Sequence, residues 1–165
     1  MTTKLTRARK ALALDPSLVD RVLLIAEPEP MDTVRTPAQM YDLFAPLLVG
    51  LDHEALACVA LDRRLRPIEV AVLTRGSLAY TVMDPCRILR WVLTRGRPAH
   101  GFALAHNHPS GNPDPSQEDI DVTRKVADAA RVVRCRLFDH VVIAGDRCVS
   151  MAEQGDVDLG AMGRL

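Results

Sequence analysis

The chain has 165 residues, of which 48% are apolar and 25% charged, an ordinary globular composition at a length that suits one domain or one domain with a tail. Lys plus Arg and Asp plus Glu number 21 each, so the formal net charge is zero. No bulk electrostatic pull therefore draws the chain to nucleic acid or to an acidic membrane.

No apolar run approaches the ~20 residues of a membrane span. Asp15-Pro16 stops the apolar stretch that begins at Ala11, well short of the ~7–15 residues of a signal-peptide core. Cys58, Cys86, Cys135 and Cys148 stand 28, 49 and 13 residues apart, with no Cys-x-x-Cys pair. That spacing argues against a thiolate zinc site and for free, mostly buried thiols in a reducing cytoplasm.

Residues 1–30 read as an N-terminal arm or short helix with a linker. Asp15-Pro16-Ser17 is a helix-start signal, Leu18, Val19, Val22, Leu23 and Ile25 follow at roughly helical spacing, and Pro28 and Pro30 close the segment. Thr36-Pro37 starts the next helix, with an apolar face of Met40, Leu43, Phe44, Leu47 and Leu48 and a stop at Gly50. Leu56–Leu61 and Ile68–Leu73 have strand length and read as a hairpin; Leu78–Met83 reads as a third strand. Asp84-Pro85 opens a helix that stops near Gly96, Gly101–Ala105 is a short buried strand, and Ser116 opens a long helix to about Val133. Leu137–Ala144 and Cys148–Met151 read as the last strands, and residues 154–165, with three glycines, as a flexible tail. This order predicts an α/β (α+β) domain over residues 31–153, a mixed sheet flanked by helices.

The chemistry concentrates in Ala105–Asp119. His106 and His108 are two apart at a strand end, so their side chains share a face with Cα atoms about 6–7 Å apart. Two imidazoles so placed can converge on one ion at ~2.0–2.1 Å. Pro109, Gly111, Pro113 and Pro115 force a compact loop, and Ser116-x-x-Asp119 is a capping-box-like helix start that turns Asp119 back toward the strand end. Two His and one carboxylate leave a tetrahedral position open, the pattern of a catalytic zinc site rather than a closed structural one. A carboxylate must then take a proton from the water. Glu54 and Glu69 both precede or begin a strand, and spacing does not choose between them. Asn107 reads as a residue satisfying loop backbone, while His53, His100 and His140 stand outside the motif and read as surface or locally hydrogen-bonded.

The series His106-x-His108, seven residues, Ser116, two residues, Asp119 resembles the JAMM motif of MPN-domain zinc metalloproteases. His106-Asn107-His108-Pro109-Ser110-Gly111 with Pro115-Ser116 and Asp119 is similar to the RadC-like branch of that family. Arg75-Gly76-Ser77, Asp84-Pro85, Asp139-His140-Val141-Val142-Ile143 and Val149-Ser150-Met151 extend the likeness over about residues 34–153. The resemblance implies a sheet between helices like that of cytidine deaminases, with zinc on His106, His108 and Asp119. It also implies Glu54 as the base and Ser116 as hydrogen-bond partner of the oxyanion and holder of the loop. Many RadC-like proteins carry an N-terminal helix-hairpin-helix region. About 30 residues precede the domain here without a Gly-x-Gly signal, so that module is expected to be absent. Glu69 to Arg75 departs from the branch.

A zinc hydrolase acting on a peptide or isopeptide bond in a peptide or protein substrate is the first reading. Nucleic-acid binding is the alternative, suggested by Arg63, Arg64 and Arg66 and by Arg87, Arg90, Arg95 and Arg97, and is not favoured because such clusters are usually solvated faces. A zinc deaminase is rejected: position 108 is His where that chemistry needs Glu, and Leu89 stands where Pro85-Cys86 would need its second Cys. A scaffold without activity is disfavoured by the complete residue set. A cytoplasmic location is expected, and the oligomeric state is open.

Overall fold

The computed structural model describes residues 8–10, 24–26, 33–76, 83–94 and 98–159, with side chains from residue 33 onward. Thr36 caps the first helix, α1 (Pro37–Leu48), through a complete capping box. Its hydroxyl accepts from the Gln39 amide at 3.2 Å, the Gln39 side chain accepts from the Thr36 amide at 3.2 Å, and Pro37 occupies the first turn where its missing N–H costs nothing.

Among the described residues, seven strands form one sheet in the order β1-β2-β4-β3-β5-β6-β7. These are β1 (Ala8–Lys10), β2 (Leu24–Ala26), β3 (Ala55–Leu61), β4 (Pro67–Arg75), β5 (Gly101–Asn107), β6 (Arg136–Ala144) and β7 (Arg147–Ser150). The pairings are antiparallel except β5–β6, which is parallel. β3 is fully buried along its length. It needs apolar residues on both faces because helices cover both, which explains the unbroken run Ala55–Leu61 in place of an alternating one.

α1 packs on one face through Met40, Phe44, Leu47 and Leu48 against Ala57, Val59, Val70 and Val141. The other face holds α2 (Pro85–Leu93) and α3 (Gln117–Val132), with Ile88, Trp91, Val126 and Ala130 against Leu56, Cys58, Leu73 and Leu104. Asp84 caps α2 by accepting the Cys86 amide at 2.9 Å, and Ser116 caps α3. The mixed sheet between helices expected from the sequence is thus observed.

Three local expectations change. Leu24–Ala26, inside the segment read as a helix from Ser17, is a strand: Leu24 pairs with Val72 and Ala26 with Val70. A short apolar run is ambiguous in isolation, and the open edge of β4 gives this one a partner. Ala8–Lys10, read as part of the arm, pairs antiparallel with it. The stretch read as a flexible tail from 154 starts inside α4 (Met151–Gln154), and Val157 and Leu159 are buried in the core beside α3. The strand expected at Leu78–Met83, apart from Met83 itself, and the rest of the N-terminal arm lie outside the described residues.

Gly101 opens β5 opposite Arg136, and a methyl group there would overlap the Arg136 carbonyl and the Phe138 ring. Gly101→Ala is expected to lower stability by about 1–3 kcal/mol, since backbone must move to admit it. A reduced urea midpoint at unchanged slope checks this.

Candidate metal centre

β5 carries His106 to the end of the sheet, where it pairs with Leu56 of β3 on one side and Val142 of β6 on the other. His108 lies just past the strand, its amide donating to the Ile143 carbonyl at 2.8 Å, so both imidazoles share the α3 side of the sheet. The chain then turns sharply. The Gly111 amide donates to the His108 carbonyl at 3.1 Å, and Gly111 sits at φ +83°, a left-handed conformation that favours glycine. Arg147 clasps the Gly111 carbonyl at 2.5 Å.

The loop ends at the α3 capping box. The Asp119 amide donates to Ser116 Oγ at 3.1 Å, while Asp119 Oδ2 accepts from the Ser116 amide at 2.8 Å and from its hydroxyl at 2.5 Å. These bonds occupy Oδ2 and leave Oδ1, 3.4 Å from His106 Nε2, with its lone pairs toward the site. The ligand atoms of His106, His108 and Asp119 lie within 4.8 Å of one another.

Counting protons shows what this space is for. His108 Nδ1 faces the Asn112 carbonyl at 2.8 Å, and a carbonyl only accepts, so Nδ1 carries the hydrogen and Nε2 the lone pair. His106 Nε2 is only 2.9 Å from His108 Nε2, and Asp119 Oδ2 is 3.6 Å from the latter. Two imidazole nitrogens and a carboxylate converge where a positive centre is required, either a proton or a metal ion. Ligands at ~2.0–2.1 Å from a tetrahedral ion would sit about 3.3–3.4 Å apart. The nitrogens lie 2.9 Å apart, with Asp119 Oδ1 3.4 Å from His106 Nε2 and Oδ2 3.6 Å from His108 Nε2, all near that value. The residues fit a metal ion held by two nitrogens and one oxygen.

The electrostatics agree. Burial alone would push the Asp119 carboxyl up. Hydrogen bonds to His106 and His108, attraction to His106 and the bond from Ser116 outweigh it and hold the group far below the usual carboxylate range. The Asp119 hydrogen bond raises His108 above the ordinary imidazole value, against its partial burial and with help from the Asn112 carbonyl and the charge of Glu54.

Register separates the two candidate acids. Glu54 immediately precedes β3, two residues from Leu56, which pairs with His106; by strand alternation it faces the same side of the sheet. Glu69 pairs with Ala60, four residues along β3 from Leu56. At ~3.3 Å per residue that places Glu69 roughly 13 Å away, at the opposite end of the sheet. The Glu54 backbone is pinned on three sides. Its carbonyl accepts from Gly76 at 2.9 Å, while Asn107 donates to the His53 carbonyl at 2.9 Å and accepts from the Ala55 amide at 2.8 Å. Asn107, between the two histidines but on the other face, therefore extends the β3–β5 ladder with a side chain and fixes both peptides flanking Glu54.

His140, read from sequence as a bystander, is fully buried against His106, and Thr123 lies behind it. Thr123 stands one helical turn after Asp119, a spacing that marks it as facing the same way. His53 and His100 keep their local readings: His53 bonds to Asp52, and His100 lies near the Phe138 ring. An open cleft of about 100 Å³ adjoins the centre, lined by Met83, Ser116, Asp119 and Val122 and by the charged Glu118, Asp121 and Lys125.

A sheet end bearing His-x-His with a helix-start carboxylate beside it defines a metal-site domain built on strand ends. Residues 34–156 match the family model described as RadC-like JAB domain, and the chain belongs to that family. The JAB domain is that of JAMM-type metallohydrolases, as the motif resemblance implied. Among curated relatives, a "UPF0758 protein" of Thiobacillus denitrificans is 39% identical over 124 residues, covering 75% of this chain and 54% of its own length. One of Salinibacter ruber is 36% identical over 125 residues, 76% of this chain and 53% of its own. One of Marinobacter nauticus is 33% identical over 154 residues, 93% of this chain and 66% of its own. The chain thus spans about half to two thirds of the length of these relatives.

Two outcomes follow from the geometry. A proton held by His108 above the ordinary imidazole value of about 6.5 competes with a metal over a wider range than an isolated imidazole would. Apparent zinc affinity should therefore rise with pH beyond that value and level off once His108 is neutral. A chelator-competition titration from about pH 5.5 to about 8.5 checks this, and a flat profile would refute it. Asn107→Ala strands a buried amide and a carbonyl beside Glu54 and should cost about 1–3 kcal/mol in urea denaturation.

Proposed function

We propose that the chain is a zinc-dependent hydrolase of the JAMM type that cleaves a peptide or isopeptide bond in a peptide or protein substrate. The observation that carries this reading is the placing of Glu54 at the same sheet end, and on the same face, as the His106–His108–Asp119 cluster. His106 Nε2, His108 Nε2 and Asp119 would hold the metal. When bound, zinc would supply a Lewis acid that acidifies water and polarises a carbonyl.

Glu54 takes a proton from the attacking water and returns it to the departing amine nitrogen, which balances the hydrolysis. Its anchored backbone keeps the carboxylate on the metal side without a closing motion. Ser116 has two duties in this reading. It holds Asp119 through Oδ2, and it turns its hydroxyl proton to the oxyanion as charge builds there. The adjoining cleft receives the substrate beside Ser116 and Asp119.

Arg63, Arg64 and Arg66 are exposed in the β3–β4 turn, at the end of the sheet remote from His106. No helix among the described residues is long and apolar enough to cross a membrane. Cys58, Cys86, Cys135 and Cys148 stand as thiols rather than disulfides, which supports the cytoplasmic location we assign.

Glu54→Ala should bind zinc like wild type and lose at least about a hundredfold in turnover, in line with the removal of a general base. Incubating the zinc-loaded variant with a cell extract and identifying retained proteins by mass spectrometry gives candidate substrates. Cleavage of those proteins by wild type and not by the variant completes the test. Equal cleavage by both would remove Glu54 from the mechanism.

A further inference from the structure

We propose that His140, oriented by Thr123, is a positioning residue for the metal ligand His106. It accepts the Nδ1 proton of His106 and so keeps the Nε2 lone pair aimed at the metal position. The inference rests on the metal-centre reading and is independent of the reaction catalysed.

The proton directions follow from the end of the chain of hydrogen bonds. Thr123 Oγ1 lies 2.6 Å from the Asp119 backbone carbonyl, which only accepts, so the single hydroxyl hydrogen goes there. The Thr123 oxygen then presents a lone pair to His140 Nδ1 at 2.6 Å, so that nitrogen carries a hydrogen. His140 is fully buried, and an imidazole whose single hydrogen is on Nδ1 presents Nε2 as an acceptor. His106 Nδ1, 2.8 Å from that Nε2, must donate. The opposite arrangement would turn the Thr123 hydrogen to His140 and leave two bare oxygens 2.6 Å apart.

The backbone is built to bring His140 here. Phe102 pairs with Leu137 and Leu104 with His140, so three residues of β6 span what two residues of β5 span. The extra residue is a bulge, and it shifts the alternation of β6 so that His140, rather than Asp139, faces α3. Asp139 turns instead to the start of α4, accepting from Ser150 Oγ at 2.6 Å and from the Ala152 amide at 3.2 Å. The relay also closes on itself. It begins behind one ligand, on β5, and ends on the backbone of another, on α3, so it holds the spacing between the two elements. A neutral imidazole behind His106 adds no negative charge, unlike the carboxylate often found in that position.

The test is zinc affinity, measured by chelator competition, in wild type, His140→Leu, His140→Gln and Thr123→Val, with circular dichroism to confirm folding. His140→Leu should bind zinc about 10–100-fold more weakly. His140→Gln offers an amide oxygen to the same Nδ1 proton and should recover most of the loss. Thr123→Val is nearly isosteric, so it carries the test should the buried Leu variant not fold; it should bind about tenfold more weakly. Long-range ¹H–¹⁵N spectra of the zinc-bound wild type should show both His106 and His140 as Nδ1–H tautomers. Wild-type affinity in both His140→Leu and Thr123→Val, or an Nε2–H tautomer at His140, would overturn the proposal while leaving the metal centre intact. A loss in His140→Leu that Gln does not recover would reduce His140 to a packing role. A wild type that binds no zinc would overturn the metal-centre reading itself.

Discussion

Two imidazole nitrogens and a carboxylate oxygen held within 4.8 Å of one another repel unless a positive charge lies among them, and most of the protein's architecture keeps them there. The penalty for a misdirected lone pair is large in a buried site, where water cannot compensate. Each group is therefore anchored from behind. The Asn112 carbonyl takes the far proton of His108, Ser116 occupies the outer oxygen of Asp119, and His140 backs His106. Three elements meet in this arrangement: the end of β5, the Gly111 turn and the first turn of α3. None of them could shift by a residue without undoing it.

The rigidity comes from the sheet. β3 lies between β4 and β5, and its register sets Glu54 beside the strand that carries His106. The separation of acid and metal ligands therefore depends on the ~4.8 Å spacing between neighbouring strands rather than on a loop. Asn107 adds a side-chain rung to the same ladder. A site mounted this way needs little reorganisation as charge develops, which is where preorganised polar groups contribute most to catalysis.

The clustering of His106, His108 and Asp119 was legible in the sequence because each part of it obeys a local rule. His-x-His shares a strand face, Ser-x-x-Asp starts a helix, and prolines between them fix the loop. Helix α1 was equally plain, since its capping box and apolar stripe are both local. What stayed hidden depended on pairing between distant segments. The choice between Glu54 and Glu69 is one of register, and the two acids look alike until the β3–β4 and β3–β5 ladders are laid out. His140 escaped notice because a bulge reverses the alternation of β6, and a bulge leaves no mark in the residue pattern of Leu137–Ala144. Leu24–Ala26 carries a run that suits helix or strand equally well, and the exposed edge of β4 decided between them.

The last described residues add something to the centre that their distance from it conceals. Arg124 donates to the Asp156 carbonyl at 2.9 Å and Arg131 to that of Asp158, while Val157 and Leu159 sink between them into the core. The segment is a strap across the outer face of α3, the helix whose first turns bear Asp119 and Thr123. Cutting the chain before Gly155 would remove two clasps and two buried side chains from that helix. Residues 155–159 are in energetic terms part of the scaffold that aims Asp119, by way of the helix they brace.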